Sequence, residues 1–404
     1  MRLVSINEAV RKEKIMKVSV DTTKKKKEEP MTGKKRFMSL LRSLVKNDAV
    51  KDNKNIPWWL AIILFLVSII LSIIPPVVQN ATEKGSYILT NSTYTMDVGL
   101  EAFGKFLYEE KIDFVIQKNA DNGEITLENV GEKLWSSNDK LVKTYGNNNY
   151  CYEYSINTND EKTSPRFRVF YKPGEKNPSN NRTPAYDFFY SNETFGVASK
   201  TNSDPEKEGY VKPTSFMVIG TYEIFVAIYK PGATKNTDYT GTPFRGSYSR
   251  MLDNDTTSIH LHSLLLSSDA SKEAIAAVDN FSEATPNFVA PENSRWISFF
   301  NRAYSLTRMN NTLMIFSMIS GLNALIILVY GFTLWILTRG KRNPNRDLKV
   351  GETMKMSCVA SLSPAILSLI IGFIIPSFAS LSFILFTSLR LMWLSMRTLR
   401  PVQE

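Results

Sequence analysis

The sequence is poor in the residue types that most often build disulfide frameworks and metal or catalytic sites, since it has two cysteines and two histidines in 404 residues. Two cysteines, Cys151 and Cys358, cannot supply the disulfide framework of a small secreted domain. Two histidines allow few Ser-His-Asp arrangements, and no G-x-S-x-G, Walker or dinucleotide glycine motif occurs. The sequence therefore predicts a protein that is not an enzyme.

Charged side chains are missing from long stretches of the chain, and these stretches predict the fold class. About 20 apolar residues in a helix cross the hydrocarbon core of a membrane. We expect transmembrane helices at 56–79, 312–338, 357–376 and 377–397, with Arg390 the one ionisable residue deep in a span. The expected architecture is a polytopic α-helical membrane protein of four transmembrane helices, with a large α+β extracytoplasmic domain inserted between helices 1 and 2.

The first apolar stretch is expected to be an uncleaved signal anchor. The 55-residue basic segment before it is far longer than the n-region of a signal peptide. Trp58 and Trp59 lie where an aromatic belt is expected, and Pro75 and Pro76 are expected to end the helix.

The charges of the intervening segments predict the orientation of the chain. The net charge is +9 over 1–55, −5 over 80–311 and +6 over 312–404. Because positive segments stay inside, we expect both termini, including the tail 398–404, and the loop 339–356 to be cytoplasmic. The region 80–311 is then extracellular, and its acidic character excludes a nucleic-acid binder. Membrane lipids and other membrane proteins are the expected partners.

The basic N-terminal segment divides into two expected parts. Residues 1–32 are expected to be a disordered cytoplasmic tail, and 33–55 a basic amphipathic helix with a linker. The apolar side chains of this helix recur at i, i+3, i+4 and i+7, which predicts a helix lying on the inner leaflet. Packing against the cytoplasmic ends of the spans is the alternative. The expected membrane-anchoring side chains are Phe37, Leu40, Leu41, Leu44, Trp58 and Trp59.

Residues 80–311 are expected to form the α+β domain. Alternating apolar residues predict strands in NYCYEYSI, in RFRVFYK and in SFMVIGTYEIFVAIYKPG, the last divided into two strands at a Gly-Thr pair. Helical spacing predicts helices near 97–110 and 269–281, the second capped by Asp269. The stretch 172–212, rich in Pro, Asn, Ser and Lys, is expected to be an extended loop or an inserted excursion.

The two histidines, His260 and His262, form an H-x-H pair that would project from one face of a strand. Zinc would need a further ligand, from Asp253, Asp255 or elsewhere. Ordinary polar positions on a strand explain the pair more simply, so we expect no metal, no cofactor and no catalytic residue. The many tyrosines of the domain fit either half-buried strands or, as the alternative, a sugar-binding platform.

Small and polar residues in the last three spans predict that these spans pack as one bundle, because such residues permit close approach of helices in lipid. Gly321 and Asn323 mark this face on the second span, and Pro364 on the third frees a carbonyl one turn earlier. Arg390 either snorkels to the inner surface or meets a polar group between helices.

Several segments resemble a family of Gram-positive bacteria, domain of unknown function family 1189. The similar segments are FMSLLRSLVKN, the first span ending in IIPPVV, KIDFVIQ…NGEITLEN, SFMVIGTYEIFVAIYK, and MNNTLMIFSMISGLNALIILVYGF leading to MSCVASLSPAILSLIIGF. Some members are described as maltodextrose utilization proteins beside sugar-transport genes. The Lys- and Asn-rich, cysteine-poor composition is typical of a low-GC Gram-positive bacterium.

The resemblance implies a topology and a setting rather than a chemistry. We expect a non-enzymatic accessory or regulatory membrane protein, possible partners being the subunits of an ABC sugar transporter in carbohydrate uptake. A cell-envelope sensor or scaffold that binds a partner protein or a wall or sugar ligand is the alternative, and a membrane-bound envelope enzyme is the third.

Overall fold

A computed structural model gives the structure of the chain. It describes residues 33–90, 96–121, 123–129, 143–145, 148–150, 152–155, 166–190, 214–228, 244–253, 256–341 and 343–399. The predicted tail 1–32, Cys151, Asp255 and most of the tail 398–404 lie outside the described residues. The chain divides into two compact units, which we call the helical unit (1–74 with 320–404) and the sheet domain (75–319).

The described helices include long apolar ones and shorter amphipathic ones. In chain order they are α1 (Gly33–Ser43), α2 (Asn47–Asp52), α3 (Trp58–Thr82), α4 (Tyr87–Thr90), α5 (Met96–Glu109), α6 (Pro184–Tyr190), α7 (Lys272–Asp279), α8 (Trp296–Leu337), α9 (Val350–Ala360), α10 (Leu362–Ile374) and α11 (Ala379–Trp393).

The described strands all lie in the sheet domain. They are β1 (Phe114–Lys118), β2 (Ile125–Asn129), β3 (Lys143–Tyr145), β4 (Asn148–Tyr150), β5 (Tyr152–Ser155), β6 (Arg166–Lys172), β7 (Thr214–Gly220), β8 (Glu223–Ala227), β9 (Phe244–Ser247) and β10 (Ser258–His260).

Four helical segments are long and apolar enough to cross a membrane, as the sequence predicts. They are Trp58–Thr82, Trp296–Leu337, Val350–Ile374 and Pro376–Thr398. The third begins earlier than the predicted 357–376 and contains a one-residue break between α9 and α10. A short turn joins α10 to α11, and the Ser368 hydroxyl closes this hairpin by donating to the carbonyl of Ala379 at 2.6 Å.

The prediction that the proline pair ends the first apolar helix is wrong, because α3 continues through Pro75 and Pro76 to Thr82. The fixed φ of proline suits a helix, and what proline lacks is the N–H that would bond the carbonyls of Leu71 and Ser72. Membrane-spanning helices tolerate such prolines because local adjustments and neighbouring groups compensate. The boundary between the two units falls at this pair.

A five-stranded sheet of order β5-β6-β7-β8-β9 forms the centre of the sheet domain. Strands β7 and β8 pair antiparallel, which confirms the predicted break near Gly220, and β6 pairs with β7 in parallel. Phe167 and Val169 on β6 face the main core, in which the fully buried Trp296 also lies. Phe170, from the alternate position, faces a second and smaller core.

The stretch 172–212 contains the helix α6, so its described part is not an extended loop throughout, while an inserted excursion stays open. Ala185 and Phe189 of α6 are buried against the sheet with Phe216 and Phe225. Parallel neighbours need a crossover connection, usually helical, and α6 lies in the connection from β6 to β7. The helix thereby covers the second face of the sheet.

Two further predictions of local structure need correction. The segment NYCYEYSI gives two strands, β4 and β5, which belong to different sheets. The helix predicted near 269–281 is α7, and its N-cap is Ser271 rather than Asp269, since the Ser271 hydroxyl accepts from the backbone N–H of Ala274. The predicted helix near 97–110 is confirmed as α5.

Candidate functional site

A cleft of about 860 Å³ opens in the sheet domain. Its walls come from the loop before α6, from β8 and β9, from the turn before β2, and from the segments around Glu83 and Asn310. The side chains that define its chemistry are Glu83, Glu124, Lys176, Tyr190, Glu223 and Arg245. We refer to this space as the cleft.

One wall of the cleft is built around the buried carboxylate of Glu223. One of its oxygens accepts from the Thr183 hydroxyl at 2.5 Å, and the other accepts from Nε of Arg245 at 2.8 Å. Adjacent strands β8 and β9 carry Glu223 and Arg245, so the pairing of the strands sets their separation. The guanidinium of Arg245 also lies 5.0 Å from the centre of the Tyr186 ring. The arginine is therefore held by a carboxylate and a ring face, while nearly half of its side chain remains exposed.

A second part of the cleft surrounds Lys176. Its ammonium lies 2.8 Å from Oε1 of Glu124 and 4.4 Å from the centre of the Tyr222 ring. The Tyr222 hydroxyl donates to Glu175 at 2.5 Å, and this bond, together with burial, raises the pKa of Tyr222 to about 12. The tyrosine consequently stays neutral and fixed at physiological pH.

A third part of the cleft surrounds Glu83. The Tyr304 hydroxyl donates to the Glu83 carboxylate at 2.9 Å, and the Arg308 guanidinium donates to the Glu83 carbonyl at 3.1 Å. The lining then continues to Met314 and Ile315, where the apolar part of α8 begins. The cleft thus has polar walls and an apolar end.

The arrangement favours a neutral, polar ligand. The carboxylates of Glu124 and Glu223 each pair with a cation of the same cleft, so these two pairs are neutral and Glu83 adds one negative charge to the six side chains named above. Tyr190 offers a ring that is 45% exposed in the lining. A concave surface with a few fixed polar groups and exposed aromatic area is the usual form of a small-molecule site.

The structure leaves most of the predicted membrane-anchoring side chains without protein cover. Phe37, Leu41, Trp58 and Trp59 are exposed, whereas Leu40 and Leu44 are half-buried. Exposed large apolar side chains on a basic helix fit burial in a lipid surface. Placement on the inner leaflet itself stays a prediction.

Gly321 does not mark a packing seam. A Cβ added there would meet nothing within 4 Å, so the expected close approach of helices at this residue is wrong. The close approach lies ten residues further on, because a Cβ at Gly331 would be 2.4 Å from Sδ and 3.1 Å from Cα of Met354. Ridge positions shift along a helix with the crossing geometry, which a single sequence does not reveal.

Asn323 is fully buried, and its amide donates to the Ser72 hydroxyl at 2.8 Å. Arg390 meets polar groups of other helices: it donates to the Ala360 carbonyl at 3.0 Å, to the Ser363 hydroxyl and to the Ser43 carbonyl. Pro364 is buried one turn after Ala360 and lacks the N–H that would bond this carbonyl. Arginine and proline therefore act on the same backbone group.

The histidines lie outside the cleft lining. The acidic residue in contact with both is Asp113, whereas Asp253, one of the residues considered as a further zinc ligand, pairs with Arg302 at 3.0 Å. His262 begins a 3₁₀ turn instead of continuing the strand, so the pair does not share one strand face as predicted. Nothing in the sequence near Asp113 signals this contact, since the two segments meet only through strand pairing.

A Ser-His-Asp arrangement is formed as well, because the Ser258 hydroxyl lies 3.3 Å from Nε2 of His260 and Asp113 lies on the other ring nitrogen. Ser258 sits inside the paired strand β10, where it faces Gln117, and not on the sharp strand-to-helix turn that exposes a nucleophile. Side chains two residues apart on a strand share a face, which explains the contact without catalysis.

Comparison of the chain with models of protein families, with curated proteins and with solved structures finds no match. The resemblance to the domain-of-unknown-function family therefore stays a prediction, as does every function inferred from it.

Proposed function

We propose that the protein is a non-enzymatic accessory or regulatory integral membrane protein whose sheet domain binds a neutral, hydroxyl-rich ligand, an oligosaccharide in the first place. The observation that carries the proposal is the cleft, in which the cations Lys176 and Arg245 are already paired with carboxylates. A phosphorylated or strongly acidic ligand would have to compete with these carboxylates. Sugar hydroxyls both donate and accept, so they match such paired groups without displacing them.

The sheet domain is proposed to lie outside the cell membrane, with both termini in the cytoplasm. The support is the charge pattern, since the segments flanking the apolar helices are basic and 80–311 is acidic. In this orientation the cleft opens on the outer side, and its end at Met314 and Ile315 lies near the level where α8 enters the membrane. A ligand would be captured close to the membrane surface.

Two sources of a sugar ligand correspond to the two proposed roles. Capture of maltodextrins supports an accessory role in carbohydrate uptake beside an ABC sugar transporter, which is the setting that the resemblance implies. Capture of cell-wall glycan fragments supports the sensor or scaffold role. Both ligands share the chemistry of linked neutral rings, so the experiment includes each as a separate arm.

The test is calorimetric titration of the purified full-length protein in lipid nanodiscs. Maltoside detergents are avoided because their headgroup is itself a disaccharide. We expect saturable binding of one of the two ligand classes and at least about tenfold weaker binding by Arg245→Gln, which loses a fixed donor in the lining.

The matched control is Arg302→Gln. Its side chain is as exposed as that of Arg245 and is also paired with a carboxylate, but it lies outside the cleft. Arg302→Gln should bind as the wild type does. Absence of binding in both arms, or equal weakening by both substitutions, would reject the proposed ligand site.

A further inference from the structure

Three side chains capable of binding a metal converge at one end of the three-stranded sheet. Asp113 precedes β1, His260 ends β10, and His262 follows two residues later. The strands pair so that Val115 lies opposite His260, which brings together residues almost 150 positions apart. We call these three residues the Asp-His-His cluster.

The distances within the cluster are short and point to a common centre. Nδ1 of His260 lies 3.0 Å from both carboxylate oxygens of Asp113, and Nδ1 of His262 lies 3.4 Å from Oδ1. All three donor atoms lie within 4.8 Å of one another. Tetrahedral zinc ligands at about 2.0–2.2 Å from the ion are about 3.3 Å from each other. The observed separations bracket this value.

The surroundings of Nδ1 of His262 are the strongest indication of a metal ion. Its Nε2 lies 3.2 Å from the carbonyl of Val278, and because a carbonyl only accepts, Nε2 carries the proton. In the neutral ring Nδ1 is then a lone pair. This atom is buried, it has no hydrogen-bond partner within the described part of the chain, and it faces an oxygen of Asp113.

A lone pair that faces a carboxylate oxygen is repelled unless a cation lies between them. His262 is completely buried, so a second proton would leave a charged ring without water around it. The face of the His262 ring stacks on Phe281, with ring centres 4.4 Å apart, and the centre of the Tyr108 ring lies 5.9 Å away. These aromatic rings hold the imidazole in place but offer no cation.

We propose that Asp113, His260 and His262 form a binding site for a divalent transition-metal ion, with zinc as the first candidate. Two imidazole nitrogens and one carboxylate oxygen are an established zinc ligand set, with one position left for water. The Val278 carbonyl is the outer partner that fixes the tautomer and orientation of a metal-binding histidine.

The location of the cluster indicates what the ion does. Asp113 and the two histidines link the start of β1 to the end of β10, and the Val278 carbonyl adds α7. The ion therefore ties three segments of the sheet domain, and His262 is completely buried while His260 and Asp113 retain a small exposed area through which the ion enters. The role is a stabilising clamp.

The experiment uses the full-length protein, purified with an affinity tag that contains no histidine and stripped of metal with a chelator. Titration with Zn²⁺ should show one equivalent bound, and Co²⁺ should give the visible absorption of a four-coordinate ion. The chain has only two histidines, so an imidazole–cobalt signal can come only from this cluster.

Asp113→Asn and His260→Gln should each weaken Zn²⁺ binding at least about tenfold. His260→Gln is included because its side chain is partly exposed and its replacement disturbs the core least. Asp253→Asn, which changes an equivalent carboxylate paired with Arg302, is the matched control and should bind as the wild type does.

Thermal unfolding of the metal-free proteins shows which variants fold. For the folded ones, added Zn²⁺ should raise the melting temperature of the wild type and of Asp253→Asn only. The proposal is overturned by wild-type protein that binds no Zn²⁺ at micromolar concentration. It is equally overturned by Asp113→Asn and His260→Gln binding with wild-type affinity.

Discussion

Replacing Arg390 by methionine tests whether a half-buried cation holds the helical unit together. The guanidinium donates to the Ala360 carbonyl and the Ser363 hydroxyl, both on the apolar segment Val350–Ile374, and to the Ser43 carbonyl on α1. A hydrogen bond to a charged group contributes about 1.5–3 kcal/mol, and an arginine inside a span costs about 2.5–3.5 kcal/mol. Three such bonds minus this cost leave a net contribution of about 1–6.5 kcal/mol. Arg390→Met should lower the free energy of unfolding by this amount.

Pro364 explains why the Ala360 carbonyl lacks its usual helical donor and accepts from an arginine instead. Residue 364 would normally donate its N–H to the Ala360 carbonyl, and the helix continues on both sides, since Ala365 donates to Ser361 at 3.0 Å. Pro364→Ala restores the missing donor. In that background the cost of Arg390→Met should fall by about 1.5–3 kcal/mol, the contribution of one of its hydrogen bonds.

The assay is unfolding by sodium dodecyl sulfate in mixed micelles, followed by tryptophan fluorescence of the full-length protein. Arg397→Met is the matched control, since Arg397 lies near the end of the same apolar segment and is exposed. A wild-type free energy of unfolding for Arg390→Met would refute the reasoning. Strict additivity of the two substitutions would refute the part played by Pro364.

Two further predictions concern packing and orientation. Gly331→Leu should lower the melting temperature by several degrees, because the new side chain would clash with Met354 at an overpacking cost of about 1–3 kcal/mol. Gly321→Leu is the control and should melt as the wild type does. Equal melting temperatures of the two variants would contradict the packing. In a background without native cysteines, Lys105→Cys should react with an impermeant maleimide in intact cells and Lys341→Cys should not; the reverse pattern would invert the proposed orientation.

Local periodicity accounts for the parts of the fold that the sequence predicts. Four apolar blocks, with Arg390 the one ionisable residue deep in a span, give four apolar helices, and the spacing in Met96–Glu109 gives α5. The Gly-Thr pair at Gly220 predicts the turn between β7 and β8. Each of these features depends on residues within about 20 positions of one another, so a local sequence pattern is enough to predict it.

The candidate sites depend on contacts that local patterns do not contain. Asp113 meets His260 only because β1 pairs with β10, and Glu223 meets Arg245 only because β8 pairs with β9. The alternation that predicts a strand does not say which strand lies beside it. For the same reason the sequence does not predict that β6 pairs with β7 in parallel, and so it does not predict that α6 is a crossover helix.

Polar contacts on the first apolar helix determine which helices pack beside it. Ser68 and Ser72 are one helical turn apart on α3, and both are fully buried. The Ser72 hydroxyl accepts from the amide of Asn323 at 2.8 Å, and the Ser68 hydroxyl accepts from Ser361 at 3.0 Å. Because lipid provides no hydrophobic drive between helices, two such bonds on one face favour a single register.

These contacts predict an asymmetry between the two partners of one hydrogen bond. Ser72→Ala leaves the buried amide of Asn323 without its acceptor and should cost about 1–2 kcal/mol. Asn323→Leu removes that demand, and the Ser72 hydroxyl keeps its bond to the Ile69 carbonyl at 2.7 Å, so this variant should be nearly neutral. Ser320→Ala is the control, because the Ser320 hydroxyl has no hydrogen-bond partner among the described residues and its loss should cost nothing. The unfolding titration in mixed micelles measures the free energy of unfolding of all three variants. A larger cost for Asn323→Leu than for Ser72→Ala would contradict the predicted asymmetry.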